Sequence, residues 1–143
     1  MTFNTSEMLM MKGTKKNYAI GFSFVAEICF GVKLSKIPCL PESFLGVFNY
    51  KGTVIPVIEL EKGCSEGESK SIILILKCGK HRLGMFVGDQ PDIIPSGAAQ
   101  QIQEEVAAEE GAIWMEKEIC RYGEHLISVI DLERSVEAMI LGG

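Results

Sequence analysis

The chain is patterned as short apolar runs, each broken after a few residues by glycine, proline or charge. That spacing reads as strands and turns. The runs are Met8–Lys12, Asn17–Gly21, Phe22–Ile28, Leu45–Tyr50, Val54–Leu60, Ser71–Cys78, His81–Val87, Ile93–Ile94, Ile113–Met115, Glu118–Tyr122 and Leu126–Leu132. Gly79-Lys80 and Gly123-Glu124 each join two runs, and glycine supplies the positive φ of a two-residue hairpin turn. Pro56 interrupts Val54–Leu60. Lacking an amide hydrogen, it is expected at a sheet edge or a bulge.

Helical signals are few. Pro41–Leu45 allows one turn. Ala98–Glu110 is rich in helix formers, but Ile102 and Val106 are its only long apolar positions, so any helix there is marginal. Asp131–Leu141 is stronger, because Leu132, Val136, Met139 and Ile140 share a face and Gly142 ends it. Glu61–Ser71 is polar and reads as a loop near the midpoint.

The segments either side of that loop repeat. Val54-Ile55-Pro56-Val57-Ile58-Glu59-Leu60-Glu61-Lys62 matches Leu126-Ile127-Ser128-Val129-Ile130-Asp131-Leu132-Glu133-Arg134 at an offset of 72, with five of nine positions identical. Tyr50 and Tyr122 precede them at the same offset. A weaker block, Tyr18-Ala19-Ile20 to Glu27-Ile28, matches Leu83-Gly84-Met85 to Asp92-Ile93 at an offset of 65. Two copies of one plan predict two small β-barrels, one from each half, in a single all-β domain spanning residues 1–143.

Composition sharpens this picture only in places. A length of 143 residues suits one domain with an adequate core. A net charge of −5 with no basic cluster argues against nucleic-acid binding. The five cysteines are odd in number and lack a C-x-x-C pair, so they read as reduced, small apolar packers. His81 and His125 are far apart and zinc-site spacings are absent, so no metal is expected. The longest apolar run, Ile72–Leu76, has five residues against about 20 for a spanning helix. The N-terminal segment lacks a basic, export-type start. The expectation is a cytoplasmic protein that is not inserted in a membrane.

Candidate chemistry is equally sparse. Gly46–Thr53 has the glycines of a phosphate loop but ends Lys-Gly-Thr, so lysine and loop backbone are not placed together. It reads as a strand–turn–strand corner. No nucleophile lies beside a base, and the hairpin-tip histidines read as exposed structural residues. Asp89 and Asp92 read as turn acids. Trp114 reads as a core residue. A small all-β domain with no catalytic group is expected to bind rather than to catalyse.

Several of these motifs, in order, resemble the CheW family of bacterial chemotaxis scaffolds. They are Tyr18-Ala19-Ile20 with Val25-Ala26-Glu27-Ile28, then Ile37-Pro38-Cys39-Leu40-Pro41, then Gly46-Val47-Phe48-Asn49-Tyr50-Lys51-Gly52 followed by Val54-Ile55-Pro56-Val57-Ile58-Glu59-Leu60. The second half adds Leu83–Val87, Asp92-Ile93 and Leu126–Leu132. The resemblance implies two five-stranded SH3-like barrels and a non-catalytic adaptor without a cofactor. It implies binding to the regulatory domain of the histidine kinase CheA and to the cytoplasmic tip of chemoreceptors. Carried over by motif, Val25, Glu27, Ile28 and Lys51 form the partner-facing surface, with Glu27 and Lys51 as natural mutual partners. Gly46 and Gly52 carry over as backbone determinants. The chain departs from the family at Lys51, where arginine is usual, at Tyr50, where leucine is usual, and at Val87-Gly88 and Gln90. Two other readings remain open at this point. One is a small-molecule or redox sensor using the inter-barrel cleft and the cysteines. The other is a receptor-independent relative that titrates the kinase.

Overall fold

The computed structural model describes residues 6–36, 38, 44–63, 72–104, 106 and 112–141. Among them are eleven strands: β1 (Met8–Lys12), β2 (Asn17–Gly21), β3 (Val25–Phe30), β4 (Phe44–Tyr50), β5 (Thr53–Glu59), β6 (Ile72–Cys78), β7 (His81–Val87), β8 (Asp92–Ile94), β9 (Gln100–Gln103), β10 (Glu116–Tyr122) and β11 (His125–Ile130). One helix, α1 (Leu132–Leu141), follows β11 directly. The Asp131 carboxylate caps it by accepting the Arg134 amide at 3.0 Å. Leu132 and Val136 are buried, whereas Ile140, expected on the same face, stays exposed.

The strands form a six-stranded sheet, β8-β1-β2-β11-β10-β9, and a five-stranded sheet, β3-β6-β7-β5-β4. The order of equivalent strands is the same in both, with β9 as an extra edge. In each sheet a hairpin (β1–β2 or β6–β7) lies between a single strand and a second hairpin, and one parallel ladder joins the two hairpins. The repeat is therefore real, but each half does not close on itself. Repeat one supplies β1 to β5 and repeat two the rest, and the two exchange their first hairpins. β1 and β2 pair with β8 and β11, while β6 and β7 pair with β3 and β5. The chain changes sheets at the 3-10 turn Phe22–Phe24, which splits the run expected as one strand over Phe22–Ile28.

Alternation along these strands builds three apolar layers. Odd positions of β6, Ile73 and Ile75, join Ile55, Val57 and Phe86 inside the five-stranded sheet. Met8, Met10, Ala19, Ile127 and Val129 do the same in the six-stranded sheet. The opposite positions meet between the sheets, where Leu9, Met11, Ile20, Ile58, Leu74, Leu76, Met85 and Ile130 pack together with Trp114. The repeat is exact in this respect: Ile55 and Val57 face inward as Ile127 and Val129 do, and Ile58 and Leu60 face the other sheet as Ile130 and Leu132 do.

Three expectations are corrected. Ala98–Glu110 is not helical at its described start. Gln100–Gln103 pairs with the open edge of β10 instead, and its four residues are all exposed. Residues 105 and 107–110 lie outside the described set, as do 41–43 of the turn expected at Pro41–Leu45. Ile113–Met115 is not a strand, because its polar groups go elsewhere. Trp114 Nε1 donates to the Glu59 carbonyl at 3.0 Å, and the Met115 amide donates to the Ser135 hydroxyl at 2.8 Å. Pro56 lies in an inner strand, one residue before the ladder with β7 starts at Val57. Its partner on β4, Val47, turns its own amide and carbonyl outward to Ser35, so the missing proline donor leaves no gap on that side.

Truncating Ile58 or Ile130 to alanine should cost about 2–5 kcal/mol in urea unfolding, because each is buried in the layer between the sheets. Residues 1–63 and 72–143 expressed separately should each lack a cooperative transition and should regain one on mixing. A cooperative transition in either fragment alone would contradict the hairpin exchange.

Candidate functional site

β3 and β4 are the two edges of the five-stranded sheet, and Glu27 and Lys51 meet across them. Lys51 and Gly52 form the two-residue turn between β4 and β5, at φ +49° and +88°. Two successive positive values are those of a type I′ turn, whose twist matches the flanking strands. Gly52 accepts this conformation without strain, and its amide donates to the Asn49 side chain at 3.0 Å. Lysine is a poor residue for the left-handed region, yet the turn aims it away from the barrel. Its side chain is 72% exposed and that of Glu27 is 44% exposed. The other motif glycine, Gly46, answers to a close approach. A Cβ there would lie 2.6 Å from the Ser35 carbonyl, at the bridge between Ser35 and Val47 that covers the edge of β4.

Lys51 Nζ stands 3.4 Å from Glu27 Oε1. The Tyr50 hydroxyl donates to the same oxygen at 3.1 Å, and the Cys29 thiol donates to Oε2 at 3.4 Å. Lys51 Nζ also lies 5.2 Å from the centre of the Tyr50 ring, within cation–π range. The Tyr50 hydroxyl, the Cys29 thiol and the Lys51 ammonium together hold the Glu27 carboxyl below its usual range. Tyr50, and then Glu27, push the Lys51 ammonium above its own. Both groups are charged at neutral pH.

The structure divides the four candidate residues. Glu27 and Lys51 form one exposed cluster. Val25 and Ile28 are half-buried and turn the other way, against the layer between the sheets. A bulge between Val25 and Glu27 separates the two sets. Cys29 and Tyr50 belong to the cluster but carried no role in the sequence reading. The signal for Tyr50 was its departure from the family's leucine, at a position that projects from the strand end beside the turn.

Among the described thiols, Cys120 is buried and Cys29 and Cys78 are half-buried. Burial, followed by the neighbouring Glu27, raises the Cys29 pKa. Burial, followed by Glu133, Asp131 and Glu137, raises that of Cys78. Burial pushes Cys120 up to about 11. A redox sensor needs a shift in the opposite direction. Cys39 and Cys64 lie outside the described residues. The cleft beside Tyr18, Leu60 and Trp114 holds about 130 Å³ against roughly 300 Å³ or more for a typical ligand site, and Glu61 occupies its wall. The Glu61 carboxylate accepts the Thr14 amide and hydroxyl at 3.0 and 2.8 Å, locking the β1–β2 loop. A wider groove of about 620 Å³ runs between α1 and the β6–β7 turn, with the acids around Cys78 along it. Among the described residues no cluster of three or more potential metal ligands occurs, and no helix is long and apolar enough to cross a membrane.

A family model described as the CheW-like domain matches residues 7–138. The chain belongs to the CheW-like domain family. Chemotaxis protein CheW of Klebsiella aerogenes is 27% identical to it over 146 residues, covering 94% of this chain and 85% of the relative. The scaffolding protein TtCheW from Thermoanaerobacter tengcongensis shares the fold, with a TM-score of 0.73, 23% identity and 93% of each chain covered. The CheW-like fold of this chain is thus all-β, with two SH3-like barrels and a C-terminal helix. CheW-like domains are non-catalytic scaffolds.

Gly52→Ala should destabilise the protein by about 1–2 kcal/mol, the penalty for a Cβ in the left-handed region. Lys51→Asn should raise the thermal midpoint by a few degrees, since asparagine suits this turn position. Equal midpoints for all three proteins would show that the turn relaxes out of the left-handed region. Thiol titration of the denatured, unreduced protein should count five free thiols, and in the native protein at pH 7 Cys120 should be the slowest of the described thiols to react.

Proposed function

We propose that this protein is a cytoplasmic, non-catalytic adaptor of chemotaxis signalling. It couples the cytoplasmic tip of chemoreceptors to the regulatory domain of the histidine kinase CheA and uses no cofactor. The observation that carries this reading is the meeting of Glu27 and Lys51 at an exposed corner. They come from separate segments, each of which resembles a binding motif of the family, and folding places them 3.4 Å apart. Membership of a scaffold family supports the same reading.

Lys51 supplies the accessible charge. An arginine there would grip a partner carboxylate with two parallel hydrogen bonds, whereas lysine offers a single mobile ammonium. Glu27 is engaged by three neighbours, which orients the corner rather than the fold as a whole. Val25 and Ile28 contribute by holding β3 against the core, and only their exposed edges can meet a partner.

Calorimetry against the kinase regulatory domain and a receptor-tip fragment tests this. Lys51→Ala should weaken binding to at least one partner by about tenfold, in keeping with loss of a charge-assisted contact. Lys51→Glu should weaken it further, and Lys51→Arg should preserve or strengthen it. Thermal unfolding should show Lys51→Ala and Lys51→Glu as folded as the parent. If Lys51→Glu binds both partners as tightly as the parent, Lys51 lies outside the working surface.

A further inference from the structure

The five-stranded sheet curls until its edge strands, β3 and β4, face each other, and no ladder of backbone hydrogen bonds joins them. Side chains bridge that seam at its open end. Tyr50 reaches from the last position of β4 to Glu27 on β3, and its ring sits 6.3 Å from that of Phe48 with the planes tilted by 41°. Both rings pack on the core inside this sheet, beside Ile55, Val57 and Phe86. The tyrosine is therefore a stiff arm with its base in the core and its hydroxyl on the carboxylate. The lysine is a flexible stem, and its 3.4 Å approach is long for a charge-assisted hydrogen bond, normally about 2.7–2.9 Å.

We infer that Tyr50 is the positioning residue of the proposed partner-binding corner: its hydroxyl fixes Glu27 across the barrel seam and its ring holds the Lys51 ammonium at the exposed corner, where it can meet a partner's carboxylate. The inference rests on the adaptor reading for its binding half and on geometry alone for its positioning half. With both Glu27 oxygens occupied by Tyr50, Cys29 and Lys51, the corner presents a cation beside an aromatic face. Leucine at this position would leave lysine as the main holder of Glu27 and draw the ammonium back onto the protein.

The groups acting on Glu27 are Tyr50 on β4, Cys29 on β3 and Lys51 in the turn, and the residue opposite it on β6 is Ile75. Because the folded protein lowers the Glu27 pKa, its contribution is complete above the ordinary value of 4.5 and is lost as pH falls through the folded one. Carbon-detected NMR titration of the Glu27 carboxyl in the full chain, assigned with Glu27→Gln, gives the first readout. Tyr50→Phe keeps the ring and removes only the hydroxyl. It should move the Glu27 midpoint up, and further than Lys51→Gln does. No movement in Tyr50→Phe, or a larger one in Lys51→Gln, overturns the positioning role. Tyr50→Leu should match Tyr50→Phe in titration while also lowering the thermal midpoint.

The second readout is affinity. For a partner that the parent protein binds, Tyr50→Phe should weaken binding by about twofold to tenfold, the range of one net hydrogen bond. Unchanged affinity beside a shifted midpoint overturns the binding half and leaves the seam clasp standing. Failure of the parent to bind either the kinase regulatory domain or the receptor tip overturns the adaptor reading itself, while the titration still decides the role of Tyr50.

Discussion

Leu9, Ile20, Ile58, Leu74, Met85 and Ile130 come from six strands and two sheets, yet they fill one apolar layer. Each is buried almost completely, and a fully buried side chain of this size contributes roughly 1.5–3 kcal/mol. The layer dictates the rest of the architecture. A strand that faces it on one side and its own barrel on the other must be apolar on both faces, so β6 reads Ile72-Ile73-Leu74-Ile75-Leu76 without a polar break. Edge strands such as β3 and β9 lack a neighbour on one side and are free to carry charge or amide groups there. The candidate site sits on β3 and the β4–β5 turn for that reason.

What the sequence disclosed follows the same division. The doubly buried strands and the glycine-led hairpins stand at nearly their expected bounds, because long apolar runs and positive-φ turns are strong local signals. β9 escaped notice because Gln100-Gln101-Ile102-Gln103 buries nothing, and only the free edge of β10 makes it a strand. Trp114 is a core residue as expected, but its indole N–H bonds to a carbonyl of β5 and the Met115 amide to a hydroxyl of α1, a tertiary choice that residue type does not announce. The repeat was legible and its consequence was not. Matching segments show which strands are equivalent, but either copy of a hairpin satisfies the same neighbours, and only the pairing shows that the copies are exchanged.

The pairing of Glu27 with Lys51 was legible as a correspondence between two motifs. The separate duties of Val25 and Ile28 were not, because the bulge after Val25 shifts the alternation of β3. Tyr50 illustrates the limit most clearly. On the page of the sequence it is a substitution for a common apolar residue. In the fold its ring keeps the apolar duty and its hydroxyl takes on a second one across the seam. Its counterpart Tyr122 has Gly123 where Tyr50 has Lys51, so no cation stands at the equivalent turn position, which leaves the two ends of the pseudo-symmetric molecule chemically distinct.

Hairpin exchange also sets an order of events while the chain is being made. Strands β3 to β7 are contiguous, so the five-stranded sheet has all its members once Val87 has left the ribosome. Strands β1 and β2 emerge first but must wait for β11, the strand that lies parallel to β2. Asn17 and His125, whose side chains meet at 3.4 Å in the finished protein, are separated by 108 residues. Through that interval Leu9, Met11 and Ile20 have only one of their two sheets to lie against. The first two strands of this fold are thus the last to be fully enclosed, and the β10–β11 hairpin acts as the latch that ends their exposure to other chains.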